Sequence, residues 1–224
     1  MKNIFKRMIN FAVDRHLGGS KNITYLVEKK AADTSVEFIF QNMNSALFFR
    51  KKEDLWDFVL SETPKQGLNL ECGVYNGYSI NYFAKSNQDR MFYGFDSFEG
   101  LQEHWTGRSL MKGHFNLNKK LPKVAENVTL IKGWLKDTYA DFLSSKNQTI
   151  ALLHVDTDTY TPAQLILQES LPFLKPGSII IFDELIGYPS WQNHEYKALI
   201  EVLPADKYEY IAYASSRVAI RITR

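Results

Sequence analysis

With 224 residues and a formal charge of +2, the chain is long enough to bury a sizeable core and carries no electrostatic footprint of a nucleic-acid binder. Its single cysteine, Cys72, excludes an internal disulfide framework and argues against a cysteine-based zinc site. No run of roughly 18 apolar residues is present, and the N-terminal stretch is broken by Lys6, Arg7 and Asn10 without a signal-peptide cleavage pattern, so no membrane span and a cytoplasmic setting are expected.

Residues 3–17 read as an amphipathic helix with Ile4, Met8 and Phe11 on one face, ended by Gly18 and Gly19. Such a basic helix can lie on a membrane surface, but more often packs on its own domain or on a second subunit, the latter giving a homodimer. Residues 33–60 read as mostly helical, and the 64–67 segment, Pro-Lys-Gln-Gly, then breaks the chain. From there short apolar runs alternate with helical patterns: strands at 68–70, 90–95, 128–131, 150–155 and 178–182, helices at 79–86, 134–144, 162–174 and 194–203. Two β-rich runs, 208–214 and 217–223, close the chain as an antiparallel hairpin around Ser215 and Ser216. The pattern predicts an α/β fold. Its sheet is doubly wound, mostly parallel and seven-stranded, with an antiparallel C-terminal hairpin and an N-terminal helical extension. Residues 1–62 are expected to form that extension or lid, and 63–224 a Rossmann-like domain with an insertion at about 101–123. The insertion is too long for an ordinary connection, and reads either as an acceptor-recognition lid or as a surface loop.

Ligands of such sheets bind outside the carboxyl ends of the parallel strands. Acids cluster at those ends here: Glu71, Asp96, Asp156, and Asp183 with Glu184. Between the first strand and its helix lies Glu71-Cys72-Gly73-Val74-Tyr75-Asn76-Gly77-Tyr78-Ser79. The glycines permit a sharp turn and close approach of a ligand. Their spacing matches neither the dinucleotide fingerprint nor a phosphate-binding P-loop, which favours a nucleoside without a pyrophosphate. Asp96, ending the next strand, is placed to accept hydrogen bonds from ribose hydroxyls or to cap a helix. If the fourth and fifth strands are neighbours, Asp156, Asp183 and Glu184 converge. Three carboxylates together repel one another unless a cation intervenes, and an all-oxygen set favours Mg²⁺, Ca²⁺ or Mn²⁺.

The segments 68–79 and 93–100 (YGFDSFEG) resemble the first two motifs of the Rossmann-like S-adenosylmethionine-dependent methyltransferases. Together with 132–138 (KGWLKDT), they are similar to the macrocin O-methyltransferase family, over about residues 66–190. The resemblance implies S-adenosylmethionine as methyl donor and a sugar hydroxyl as acceptor. It places Glu71 and Gly73 beside the methionine part, with Tyr75, Gly77, Ser79 and Asp156 also contacting the cofactor. Asp96 then holds the ribose, and Ser97, Gly133 and Trp134 surround the adenine. It also implies Asp156 and Asp183 as metal ligands and Asp158 as general base, with Glu184 standing where the family has a second aspartate. His154 reads as a packed or hydrogen-bonded core residue. His194 reads as an acid/base helper or a substrate contact. The Asp156-Thr157-Asp158 element also fits a metal-dependent glycosyltransferase using a sugar nucleotide, which leaves the Glu71–Gly77 turn and Asp96 unexplained. A third reading is a non-catalytic domain that has kept the fold.

Overall fold

The computed structural model describes residues 22–224. The helix expected at 3–17 lies outside them. The elements are α1 (Ile23–Asn42), β1 (Leu47–Phe48), α2 (Lys52–Glu62), β2 (Leu68–Cys72), α3 (Tyr78–Ser86), β3 (Phe92–Asp96), β4 (Val128–Lys132), α4 (Leu135–Lys146), β5 (Ile150–Val155), α5 (Tyr160–Ser170), β6 (Ile179–Phe182), α6 (Glu195–Val202), β7 (Tyr208–Ala214) and β8 (Arg217–Ile222). All seven expected strands form. The two-residue β1 adds an eighth at the edge, giving the order β1-β7-β8-β6-β5-β2-β3-β4. Only β8 runs against the others: it pairs antiparallel with both β6 and β7.

The doubly wound character follows from the pleat. Successive residues of a strand face opposite sides, so Ile180 and Phe182 of β6 join one apolar cluster while Ile179 and Ile181 join the other. The first cluster is closed by α4, α5 and α6, and the second by α2 and α3. Both faces of the central strands are dry, which is why β6 is wholly apolar and β5, apart from His154, nearly so. Each fully buried aliphatic side chain there contributes about 1.5–3 kcal/mol.

The helical stretch expected at 33–60 is two helices. α1 starts earlier, at Ile23, where the Asn22 side chain accepts from the Tyr25 amide as an N-cap. The turn and β1 then separate it from α2. The boundary expected at residue 62 does not coincide with a break in packing. Leu55, Trp56, Val59 and Leu60 of α2 are buried in the same cluster as Ile80 and Phe83 of α3. α1 is tied to the far side of the fold: Ser35 accepts from the Gly187 amide at 2.9 Å, and Phe38 packs edge-on against Tyr196 and Tyr210.

Candidate active site

The carboxyl edges of β2, β3, β5 and β6 meet around one cavity of about 410 Å³. Backbone bonds draw these strand ends together: Gly73 N to Phe95 O, Asp156 N to Cys72 O, and Asp183 N to Val155 O, each at 2.9–3.0 Å. Gly73 (φ +91) is required by this junction. A Cβ on it would stand 1.7 Å from the Asp156 carbonyl oxygen, so the glycine admits the neighbouring strand rather than a ligand.

Asp96 organises the loop after β2. Its Oδ2 accepts from the Val74 and Tyr75 amides at 2.9 and 2.8 Å, and its Oδ1 accepts from the Phe98 amide at 2.7 Å. These bonds hold Tyr75 at φ +47, a conformation side-chain-bearing residues seldom adopt. Asp96 still lines the cavity. A carboxylate has about four lone-pair sites, so capacity for a ribose hydroxyl is left on Oδ1.

The fourth and fifth strands of the main repeat, β5 and β6, are adjacent and parallel with Val155 opposite Phe182, so the acids that follow them converge. Asp156, Asp158 and Glu184 each offer an oxygen within 4.8 Å of the others. Asp156 also groups with Asp183 and His154. Burial, and then the neighbouring Asp183 charge, push Asp156 and Glu184 well above the usual carboxylate range and Asp158 up to about 7. Asp183 behaves oppositely. Burial would raise it, but the His154 ring and the Arg217 guanidinium hold it at about 2. Arg217 donates to its Oδ2 at 2.6 Å, and His154 Nε2 lies 3.5 Å from its Oδ1. Behind the acids, His154 Nδ1 bonds Glu71 Oε2 at 2.9 Å. Burial lowers the imidazole's pKa, but the two flanking carboxylates overcome that and hold it at about 10. The imidazole thus keeps its proton between two acids. Glu184 Oε2 is buried without a partner among the described residues. An uncompensated cluster of this kind is costly in a low-dielectric site and suits a cation.

Of the residues singled out by sequence, Gly73, Tyr75, Ser79, Asp96, Ser97, Trp134, Asp156, Asp158, Asp183 and Glu184 all line the cavity. Glu71, Gly77, Gly133 and His194 do not. Glu71 sits inside β2, directly opposite His154 in the parallel ladder, and its side chain spends itself there. Gly77 is the left-handed N-cap of α3 (φ +81), a backbone role. Gly133 ties β4 to β3 through its amide and the Asp96 carbonyl, and a Cβ there would meet Thr138 at 2.7 Å. His194 is buried, with Nε2 3.0 Å from the Thr106 carbonyl and 2.9 Å from the Thr106 hydroxyl. Burial pulls its pKa down.

His194 therefore anchors the insertion. Gly107 (φ +82) packs so closely on the segment after β6 that a Cβ would stand 1.7 Å from the Pro189 carbonyl oxygen. Arg108 lies over the rings of Trp105 and Tyr188 at 5.3 and 4.9 Å. Phe115 reaches back to Tyr75, 5.2 Å between ring centres. Trp105, Leu101, Gln102 and Phe115 thereby wall the cavity, which makes the insertion part of the site.

Sequence reasoning missed Lys52, Trp56 and Tyr78 on one wall, Arg217, and Glu195 beneath Glu184. Glu195 accepts from the Glu184 amide at 3.1 Å, and burial followed by the Asp158 charge pushes it to about 8. The signal for Arg217 was present. In an antiparallel hairpin the start of the second strand returns to the edge where the parallel strands end.

A family model described as a methyltransferase domain matches residues 70–185. The chain belongs to the methyltransferase domain family. Its methyl donor is S-adenosylmethionine, and the match takes in the loop after β2, Asp96 and the acids of β5 and β6. Membership sets aside the glycosyltransferase reading of the Asp156–Asp158 element. Among curated proteins, none matches the sequence. Among solved structures, CalS11, a calicheamicin methyltransferase, is similar with a TM-score of 0.62 and 24% identity over 75% of this chain and 76% of that one. The O-methyltransferase NovP gives a TM-score of 0.54 and 18% identity over 90% and 100% of the two chains. MycE from the mycinamycin pathway, in complex with Mg and S-adenosylhomocysteine, gives 0.50 and 14% over 76% and 49%. At these identities the likeness is one of fold. No helix among the described residues of the methyltransferase is long and apolar enough to cross a membrane.

Proposed function

We propose that this methyltransferase moves a methyl group to a hydroxyl oxygen of a sugar or glycosylated small molecule, with a divalent cation, Mg²⁺ in the first instance, held by Asp156, Asp183 and Glu184. The observation that carries the reading is that Asp156 belongs to two acid groups at the ends of adjacent strands, one with Asp158 and Glu184 and one with Asp183 and His154, beside a cavity that Asp96 also lines. The partnerless buried oxygen of Glu184 fits a cation. A 410 Å³ cavity suits a nucleoside with an extension. CalS11, described as a TDP-rhamnose 3′-O-methyltransferase, supports the acceptor class, and MycE, solved with Mg, supports the cation.

A hydroxyl is a weak nucleophile until its proton leaves. Asp158, held near 7, is the group placed to take that proton on a carboxylate oxygen at neutral pH. When bound, the cation supplies positive charge that makes a neighbouring hydroxyl easier to deprotonate. Asp96 and Trp134 fix the nucleoside end, so that acceptor oxygen, methyl carbon and sulfur align; this alignment is the protein's main contribution to the rate. Asp183 is oriented by His154 and Arg217 before any cation arrives. Asp158 shares the cluster with Asp156 and Glu184, and the Asp158→Asn variant separates a base from a ligand.

The deciding experiment combines calorimetric titration with S-adenosylhomocysteine and an assay of labelled methyl transfer to a panel of sugar nucleotides and glycosides, each with Mg²⁺ and with chelator. Saturable binding and Mg²⁺-dependent labelling of a sugar hydroxyl are expected. Full transfer in chelator would remove the cation from the reading, and transfer only to nitrogen or carbon acceptors would remove the hydroxyl.

A further inference from the structure

The cavity wall contains four clustered carboxylates on one side and two cationic side chains, Arg217 and Lys52. Arg217 is committed to Asp183. The Lys52 ammonium has no carboxylate within ion-pair distance among the described residues: the ion pairs formed by lysines there involve Lys29, Lys119 and Lys197. Its neighbour Glu53 gives its carboxylate to the Tyr78 hydroxyl instead, at 3.0 Å. Lys52 is nevertheless held in place, with its Nζ 5.0 Å from the centre of the Trp56 ring and 4.5 Å from that of Tyr78. Trp56 is 1% exposed, so one of these two rings is a rigid part of the core. A cation resting on two aromatic faces keeps its ammonium donors for a further partner.

Topology says which part of the donor reaches it. Asp96 and Trp134 stand at β3 and β4, on one side of the loop after β2, and the acids stand at β5 and β6 on the other. Lys52 begins α2, which packs on β7 at the opposite end of the sheet from β4, and its ammonium rests over Tyr78, the first residue of α3. The donor has a nucleoside end, a sulfur carrying the methyl group, and an amino-acid end with a carboxylate. The nucleoside lies toward Asp96, and the methyl must face the acceptor side. Four acids would repel a further carboxylate there.

We propose that Lys52, set on the rings of Trp56 and Tyr78, is the residue that binds the carboxylate of the donor's amino-acid end. This rests on the cavity being the methyl-donor site. Lys52 thereby distinguishes the intact donor from nucleosides that lack the amino acid, and it fixes the sulfur between Asp96 and the metal cluster.

The test uses two ligands that share the nucleoside and the sulfur. S-adenosylhomocysteine carries the amino-acid carboxylate; 5′-methylthioadenosine does not. Binding of each is titrated to wild type, Lys52→Met and Lys52→Arg. Loss of one charge-assisted contact is expected to weaken S-adenosylhomocysteine roughly tenfold or more in Lys52→Met. Methylthioadenosine affinity should stay within about twofold, and Lys52→Arg should recover most of the loss. Equal weakening of both ligands would make Lys52 a structural support and overturn the proposal. Unchanged S-adenosylhomocysteine binding in Lys52→Met would also overturn it, leaving the donor site itself intact. If wild type binds neither ligand, the donor-site reading fails, and this assignment with it.

Discussion

Arg217 donates to Oδ2 of Asp183 at 2.6 Å, the shorter of the two contacts by which β8 and β5 grip the acid that follows β6. The pair is mostly removed from water, so deleting one partner strands the other. Arg217→Met is expected to lose roughly 1–3 kcal/mol of stability in chelator. Mg²⁺ should restore part of this by neutralising the same acids. Denaturant titration in the two buffers checks it; an unchanged midpoint in chelator would show that His154 alone suffices for Asp183.

Asp156 belongs to both acid groups, and its carboxyl is pushed up by burial and by Asp183. Asp156→Asn should abolish Mg²⁺ binding and methyl transfer. In chelator the variant should melt no lower than wild type, because the substitution relieves repulsion in the cluster. A clear loss of chelator stability would mean that Asp156 is a structural acceptor rather than a ligand.

Asp158 sits at φ +65 with its carboxylate in the cavity. As the proton acceptor, Asp158→Asn should lower turnover by about 10²–10⁴-fold while Mg²⁺ and S-adenosylhomocysteine still bind. If the variant loses Mg²⁺ affinity along with turnover, Asp158 is a further ligand and the base lies elsewhere.

Asp96→Ala removes the acceptor for the Val74, Tyr75 and Phe98 amides as well as any ribose contact. It should weaken S-adenosylhomocysteine strongly and also cost about 1–3 kcal/mol of stability. The ligand-free melting point separates the two effects. A normal melting point with lost binding would assign Asp96 to the ribose alone.

The alternation of strands and helices, the antiparallel hairpin and the meeting of acids after β5 and β6 were legible because they follow from hydrophobic period and strand order. α1 was misplaced because its apolar residues are not confined to one face: Ile23, Val27, Val36 and Phe40 are all exposed, which blurs the helical repeat. The surroundings of Glu71 could not be read because the end of its strand was placed too early. The strand continues to Cys72, and the pleat turns Glu71 toward its ladder partner His154 instead of the cavity. The partner of His194 was not legible because Thr106 lies 88 residues away in a segment without regular structure. Gly73 was read as admitting a turn and a ligand; the group that stands in the space of its missing Cβ is the Asp156 carbonyl.

The docking of the insertion bears on how such an enzyme changes its diet. Gly107 leaves no room against Pro189, and His194 holds Thr106, so the insertion that walls the cavity is moulded onto the segment that leaves β6. Grafting a foreign 101–123 loop into this scaffold would carry the wrong imprint. Exchanges of acceptor preference, in evolution or in the laboratory, should succeed when 187–194 travels with the loop as a single cassette.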